Sequence, residues 1–196
     1  MLIINQINQS VINPDFIDFH AILYDILLIE NKKGIPARLK ISFDIDKDIV
    51  FRSDKDLIKI ILENLIDNAI KFRNDSVRVE PFVDVRIWKE AAMVVLSVKD
   101  NGIGISSADR EKIFQMFVRV SERSESGGIG LYLTRLATEK AEGKIDIQTS
   151  VEGYTEFSVV FPNDLSLILE KRKEEQWRRT MLEQDETEKQ KVDQNS

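Results

Sequence analysis

Between Ser53 and Phe72 the apolar residues fall at Leu57, Ile58, Ile61, Leu62, Leu65, Ala69 and Phe72, which a turn of about 100° per residue gathers on one face of a helix. Ser53, followed three residues later by Asp56, approximates a capping box at its start, and nothing breaks the pattern before Asn74. Upstream, residues 1–13 have the spacing of the last turns of a helix stopped before Pro14, an abrupt start that suggests a fragment. Residues 15–31 predict an amphipathic helix with Phe16, Phe19, Leu23, Ile26 and Leu27 inward and His20 on it; Lys40 to Ile45 alternates as a strand, and Ile49 to Phe51 is a short extended piece. Downstream, Val83 to Trp88 and Met93 to Lys99 alternate on either side of a polar turn and read as a hairpin. A short helix capped at Ser106 or Ser107 carries Phe114 and Phe117, and residues 118–126 lack core periodicity and read as a mobile loop. The run Gly127-Gly128-Ile129-Gly130 then opens a helix ending near Gly143. Lys144 to Thr149 and Thr155 to Phe161 form a last hairpin, and the core is expected to be complete before Pro162. Residues 170–196, dense in charge with only Trp177, Met181 and Leu182 of any apolar size, predict a solvated helix fraying into disorder.

This order predicts an α/β protein, a two-layer sandwich of a mixed β-sheet with helices on one face. It lacks the strand-helix alternation of a dinucleotide-binding domain, and no G-x-G-x-x-G is present. With 196 residues, 42% of them hydrophobic, the chain fills one core with a tail to spare. Its net charge of -6 and its lack of a large Lys/Arg block argue against nucleic acid as the main partner. Without cysteine there are no disulfides or thiolate metal sites, which is compatible with a reducing cytoplasm. No apolar run approaches the roughly 20 residues of a membrane span, so no membrane contact is expected of this segment.

Along the border of the long helix's apolar face run Asn64, Asn68 and Lys71. Amide oxygens suit a hard cation and an ammonium suits an anion, so this stripe can hold a metal ion beside a phosphate; an ordinary helix edge shows the same pattern. Asp100-Asn101-Gly102 likewise reads as a plain turn when taken alone. The combination separates these readings. The runs NLIDNAIKF (64–72), DNGIGI (100–105), IFQMF (113–117) and GGIGL (127–131) closely resemble, in order and spacing, the N, G1, F and G2 boxes of sensor histidine kinases. The flanking elements from 15 to 161 look like the catalytic ATP-binding domain of that family, the Bergerat fold.

The resemblance implies ATP and Mg²⁺ as cofactors. Asn68 would ligate Mg²⁺ through its side-chain oxygen with Asn64 assisting one turn earlier, and Lys71 would meet a phosphate. Asp100 would accept a hydrogen bond from the adenine amino group, a donor that guanine lacks at that position. Gly102 and Gly104 would let the backbone approach the ring. Gly128, Gly130 and Leu131 belong to the box that opens a helix whose N-terminus favours the triphosphate. The loop 118–126 would be a lid with Arg119 and Arg123 as candidate phosphate contacts, and Phe114 and Phe117 would anchor its hinge in the core.

The family also implies a division of the chain: residues 1–13 as the remnant of a dimerisation helix, 14–163 as the ATP-binding domain, and 164–196 as a charged tail. The family's phosphoaccepting histidine lies on a separate dimerisation hairpin and is usually followed by an acidic residue. His20 is followed by Ala21 and stands only 43 residues before Asn64, so the acceptor is expected elsewhere and His20 is not assigned that role. The partners implied are the histidine phosphotransfer/dimerisation domain of the intact kinase and a downstream response regulator, with the isolated domain monomeric and cytoplasmic. Related ATPases of this fold place a glutamate four residues before the magnesium asparagine to activate water; here that residue is Asn64, an amide that cannot act as a general base, so efficient hydrolysis is not expected. An alternative class remains: a pseudokinase or scaffold binding ATP without catalytic output, since Met116 and Ser126 depart from the family's usual proline and glycine.

Overall fold

A computed structural model describes residues 2–106, 108–110, 112–118, 128–150 and 153–193, with side chains through 183. In chain order the elements are α1 (Leu2–Gln9), β1 (Pro14–Phe16), α2 (Phe19–Lys33), β2 (Lys40–Ile45), β3 (Arg52–Asp54), α3 (Lys55–Lys71), β4 (Phe82–Glu90), β5 (Met93–Asp100), a 3-10 turn (Lys112–Phe114), α4 (Gly130–Lys140), β6 (Lys144–Thr149), β7 (Thr155–Pro162) and α5 (Leu165–Asp193). Five strands form the main sheet in the order β2-β4-β5-β7-β6, with β2 parallel to β4 and the other pairs antiparallel. The expected mixed sheet is therefore present, and β1 with β3 adds a small antiparallel ribbon.

The strand alternation decides which face the helices cover. Val83, Val85 and Ile87 of β4, Val94, Leu96 and Val98 of β5, and Phe157, Val159 and Phe161 of β7 are buried on the inner face. Against them α3 lays Leu57, Ile58, Ile61, Leu62, Leu65, Ile66, Ala69 and Ile70. The opposite face carries polar groups around Val95 and Trp88: Arg86 leans over Trp88, and Ser97 donates to Glu156 at 2.6 Å. Helices thus cover one face of the sheet.

Several local expectations are corrected. The cap of α3 is Asp54, one residue after Ser53: its carboxylate accepts the N–H groups of Asp56 and Leu57 at 3.1 and 3.2 Å and that of Asn13 at 2.9 Å, while the Ser53 hydroxyl is buried without a partner. A carboxylate has the acceptor capacity to take all three donors, and the hydroxyl does not. The helix predicted from residue 15 starts at Phe19 behind the Asp18 cap; Phe16 is in β1 and exposed, with the Arg52 guanidinium over its ring, and Ile22 joins the buried face. The extended piece predicted at 49–51 becomes a ladder strand only from Arg52 onward, because β1 ends at Phe16 opposite Arg52; Phe51 adds one bond beyond it, its carbonyl accepting the Ile17 N–H at 2.9 Å. The short helix after Ser106 is reduced to turns and the 3-10 segment. The core does not close before Pro162 either, since Leu165 at the head of α5 is fully buried.

Candidate functional site

The inner face of the sheet changes character at one end. In register across three strands stand Asp100 (β5), Thr155 (β7) and Thr149 (β6), a polar row closing columns that are otherwise apolar. The Asp100 side chain is 7% exposed, and burial pushes its carboxyl up to about 6 from an ordinary 3.8; the Gly102 N–H, donating at 2.8 Å, opposes that rise. Beside it the Thr155 hydroxyl is buried and has no hydrogen-bond partner. A buried carboxylate next to an unpartnered hydroxyl is a donor-and-acceptor pair awaiting a polar ligand.

The chain after Asp100 is pressed onto the end of α3. Ile103 N–H donates to the Phe72 carbonyl at 2.9 Å, and a Cβ at Gly102 would lie 2.3 Å from that same oxygen, so only glycine fits. Asn101 turns away to bind the Phe82 N–H and the Glu80 carbonyl at 2.8 and 2.9 Å, which makes it a structural residue. Above this floor opens a cleft, its mouth included, of about 780 Å³ of empty space; its walls are Ala69, Phe72, Ile103, Ile105, Ile113 and Phe157, with Phe114 supporting Phe157 edge-on at 6.2 Å. A deep apolar slot with a few convergent polar groups is the usual form of a small-molecule site.

The other end of the cleft is built from α3 and the start of α4. The N-cap position of α4, Ile129, supplies no side-chain hydrogen bond, so among the described residues the first N–H groups of the helix have no side-chain cap. A Cβ on Gly130 would lie 3.0 Å from Asn64 Oδ1 and 3.9 Å from Asn68 Nδ2, so the two asparagines stand directly against this helix start. The Asn64 amide nitrogen donates to the Ile60 carbonyl at 2.8 Å, which leaves its oxygen as the free end. Among the described residues the Asn68 amide makes no hydrogen bond, and no three His, Cys, Asp or Glu side chains converge. A divalent cation would therefore take amide oxygens of Asn64 and Asn68 as its protein ligands, a set that fits Mg²⁺ shared with phosphate and water.

Of the residues singled out in the sequence, Asn68, Asp100, Gly104, Gly128, Gly130 and Leu131 line the one cleft. Gly102 lies beneath it, and Asn64 touches Gly130 while facing a second cavity with Ile3, Lys33, Ile60, Glu63, Asp67 and Leu133. Lys71 is not among the lining residues; its Nζ stands 6.0 Å from the centroid of the Phe72 ring. Arg119, Arg123 and the loop from 119 to 126 lie outside the described residues. Phe117, expected in the core, is 63% exposed at φ 65, its N–H held by the Gly128 carbonyl at 3.1 Å; that bond joins the two sides of the loop's stem and turns the ring outward. Thr155 escaped the sequence reading, although the inward alternation Thr155, Phe157, Val159, Phe161 marks it as the polar inward position of its strand.

Fold and cleft together define an α/β sandwich of the histidine-kinase catalytic-domain type. The solved catalytic domain of histidine kinase ThkA superposes with a TM-score of 0.67 at 21% identity, covering 80% of this chain and 99% of that one. The chain belongs to the histidine kinase-, DNA gyrase B- and HSP90-like ATPase family, whose model matches residues 53–165. Curated relatives include proteins named as a histidine kinase and as a sensor. It is 29% identical over 163 residues to the circadian input-output histidine kinase CikA of Synechocystis sp., covering 79% of this chain and 21% of that protein. It is 27% identical over 157 residues to the heme sensor protein HssS of Staphylococcus aureus, covering 80% of this chain and 33% of the relative. The chain thus spans between about a fifth and a third of the length of these two relatives. No helix among the described residues is long and apolar enough to cross a membrane.

Proposed function

We propose that the domain binds Mg·ATP in this cleft and presents the γ-phosphate to a histidine on a dimerisation/phosphoacceptor domain, from which the phosphoryl group passes to a response regulator. One observation carries the choice of transfer over hydrolysis: the sole carboxylate among the described cleft-lining residues is Asp100, at the wrong end for water activation. Asp100 abuts the Phe72 carbonyl through Gly102, whereas Gly130 abuts Asn64, and eight residues of helix separate the two by about 12 Å. Glu63 faces the second cavity instead.

In this reading the adenine amino group donates to Asp100, with the Thr155 hydroxyl beside it, and the ring lies between the apolar walls. The triphosphate extends along α3 towards the free N–H groups of α4, and Lys71 reaches it from the rim. Asn64 and Asn68 would hold Mg²⁺ through their amide oxygens, and the ion would supply charge neutralisation to the phosphates. Asn64 and Asn68 orient that end of the nucleotide. An imidazole nitrogen of the incoming histidine attacks the γ-phosphorus in line, the bond to the β–γ bridging oxygen breaks, and ADP leaves.

Calorimetric titration with ATP, with and without Mg²⁺, tests the binding step; micromolar affinity, roughly -8 kcal/mol, with negligible phosphate release is expected. Incubation with γ-labelled ATP and a dimerisation hairpin from a related sensor kinase tests the transfer, through an acid-labile label on the hairpin. Rapid phosphate release without the hairpin would replace the kinase by an ATPase, and binding without any transfer would favour the scaffold.

A further inference from the structure

The C-terminal end of α4 holds both terminal helices of the chain. Lys140, its last residue, points its ammonium at the end of α1, where its three N–H donors are shared among the carbonyls of Ile7, Asn8 (3.3 Å) and Ser10 (2.6 Å) and the Ser10 hydroxyl (3.0 Å). Carbonyls at a helix C-terminus have no partner within their own helix, and a cation there also meets the negative end of the helix dipole. Two residues further on, Glu142 receives Arg172 of α5 in a bidentate pair, 2.6 Å at each oxygen. Glu142 adopts a left-handed backbone at φ 59, a conformation that costs a non-glycine residue energy and turns its side chain out of the path of α4.

Among the described residues, the opposite end of α4 has no side-chain tie of this kind. Ile129 offers no side-chain cap, and the nearest tie to the Gly130 end among the described residues is the single Phe117 N–H on the Gly128 carbonyl, whereas the Lys140 end is fastened by several bonds. Along its 11 residues, about 16 Å, Leu133, Thr134, Ala137 and Thr138 are buried, and a rod so packed moves as one piece. Room for movement exists on one side: the cavity between α1, α2, α3 and α4 is lined by Ile3, Leu133 and Asn64, which come from the terminal helix, the rod and the phosphate end of the cleft.

We propose that α4 is a lever joining nucleotide occupancy to the two terminal helices: phosphate bound at its Gly130 end and the Lys140–α1 and Glu142–Arg172 ties at its other end favour the same position of the rod, so each strengthens the other. The coupling rests on the nucleotide reading of the cleft and adds to it a route by which movement of α1 or α5 sets affinity for the phosphates. Linkage makes the effect reciprocal.

The test compares the full chain with Lys140→Met and Arg172→Gln in titrations with Mg·ATP and with adenosine, which reaches only the Asp100 end. A drop in ATP affinity of about fivefold or more in each variant, with adenosine affinity unchanged, is expected. Arg172 is exposed, so its replacement leaves the fold intact even where Lys140→Met weakens it. In the unaltered chain, Mg·ATP should slow amide hydrogen exchange over Leu2–Gln9 and the first turns of α5, and adenosine should not. Equal ATP affinity in Arg172→Gln and wild type, with no nucleotide effect on exchange in α1 or α5, overturns the lever. Failure of wild type to bind ATP at all overturns the nucleotide reading itself.

Discussion

The two ends of the cleft are built on opposite principles. At the Asp100 end the backbone that forms the floor is already committed: Gly102 and Ile103 N–H groups are bonded, the Phe72 carbonyl accepts one of them, and one hydroxyl, Thr155, waits unpaired. At the Gly130 end the helix start is uncapped and the amides of Asn64 and Asn68 have free ends. A preformed end gives selectivity, because a ligand lacking the matching donor leaves a buried carboxylate unpaired. An open end leaves its geometry to be completed by the phosphates and their cation.

The sharpest break of this contrast is Gly102→Ala. The added Cβ would meet backbone at 2.3 Å and Asp100 Oδ1 at 2.8 Å, and neither can yield without shifting α3 or β5. Loss of about 1–3 kcal/mol of stability and a fall of roughly a thousandfold in ATP affinity, equivalent to about 4 kcal/mol, are expected from chemical denaturation and calorimetry. Retained affinity would show that the floor is as adaptable as the phosphate end.

Asp100→Asn separates binding from stability at the same end. Losing a charged acceptor for the adenine amino group should cost about 1.5–3 kcal/mol, or roughly a hundredfold in affinity. The free protein should gain stability at pH 7, because burial holds the Asp100 carboxyl at about 6 and the ionised form is penalised in the folded chain. The sign follows from linkage: the folded state binds the proton more tightly than the unfolded chain with its pKa of 3.8, so wild-type stability relative to Asp100→Asn rises as pH falls through about 6 and levels off near 4. A shift of about two pKa units amounts to about 3 kcal/mol. ATP affinity should run the other way, weakening below pH 6 as the acceptor is protonated. Paired denaturation and titration series from pH 7.5 to about 4.5 check both slopes; parallel slopes would refute the assignment.

At the open end the expected effect is smaller and confined to the phosphates. Asn68→Ala should lower Mg·ATP affinity about tenfold, or 1.4 kcal/mol, and abolish the difference between titrations with and without Mg²⁺, while adenosine affinity stays unchanged. An equal loss for adenosine would place Asn68 in the base pocket.

The same contrast explains what was legible in the sequence. The Asp100 end could be read because its geometry is local: an alternating strand delivers Asp100 inward, and glycines sit where the chain crosses α3. The mixed sheet and its single helical face followed from period-2 and period-3.6 patterns of the same local kind. Thr155 was equally available from its strand's alternation, yet its importance depends on β7 pairing with β5, a contact across 55 residues that no spacing reveals. The capping of α3 by Asp54 in place of Ser53 was decided by Asn13, 41 residues upstream, which supplies a third donor that only a carboxylate can take. Phe117 misled for a related reason, since its apolar character suggested burial while the backbone pairing with Gly128 turned it outward. The ties of Lys140 to α1, more than 130 residues apart in sequence, left no local trace at all.

The smallest expected effect is also the most diagnostic for chemistry. Glu63 precedes Asn64 in sequence and is the carboxylate beside it on α3. One residue of helix turns it about 100° away from Asn64, and it lines the second cavity with Ile3, Lys33, Asn64 and Asp67 but not the cleft that holds Asn68 and Gly130. A general base must reach the proton it removes within hydrogen-bond distance or through one water, and Glu63 is not among the residues lining the cleft. Glu63→Gln should therefore leave the residual rate of phosphate release within about twofold of wild type, a difference below 0.5 kcal/mol, and should leave ATP affinity unaltered. A tenfold fall in release would mean that α3 rotates when nucleotide binds, and the assignment of Asn64 and Asn68 to the phosphate end would fall with it.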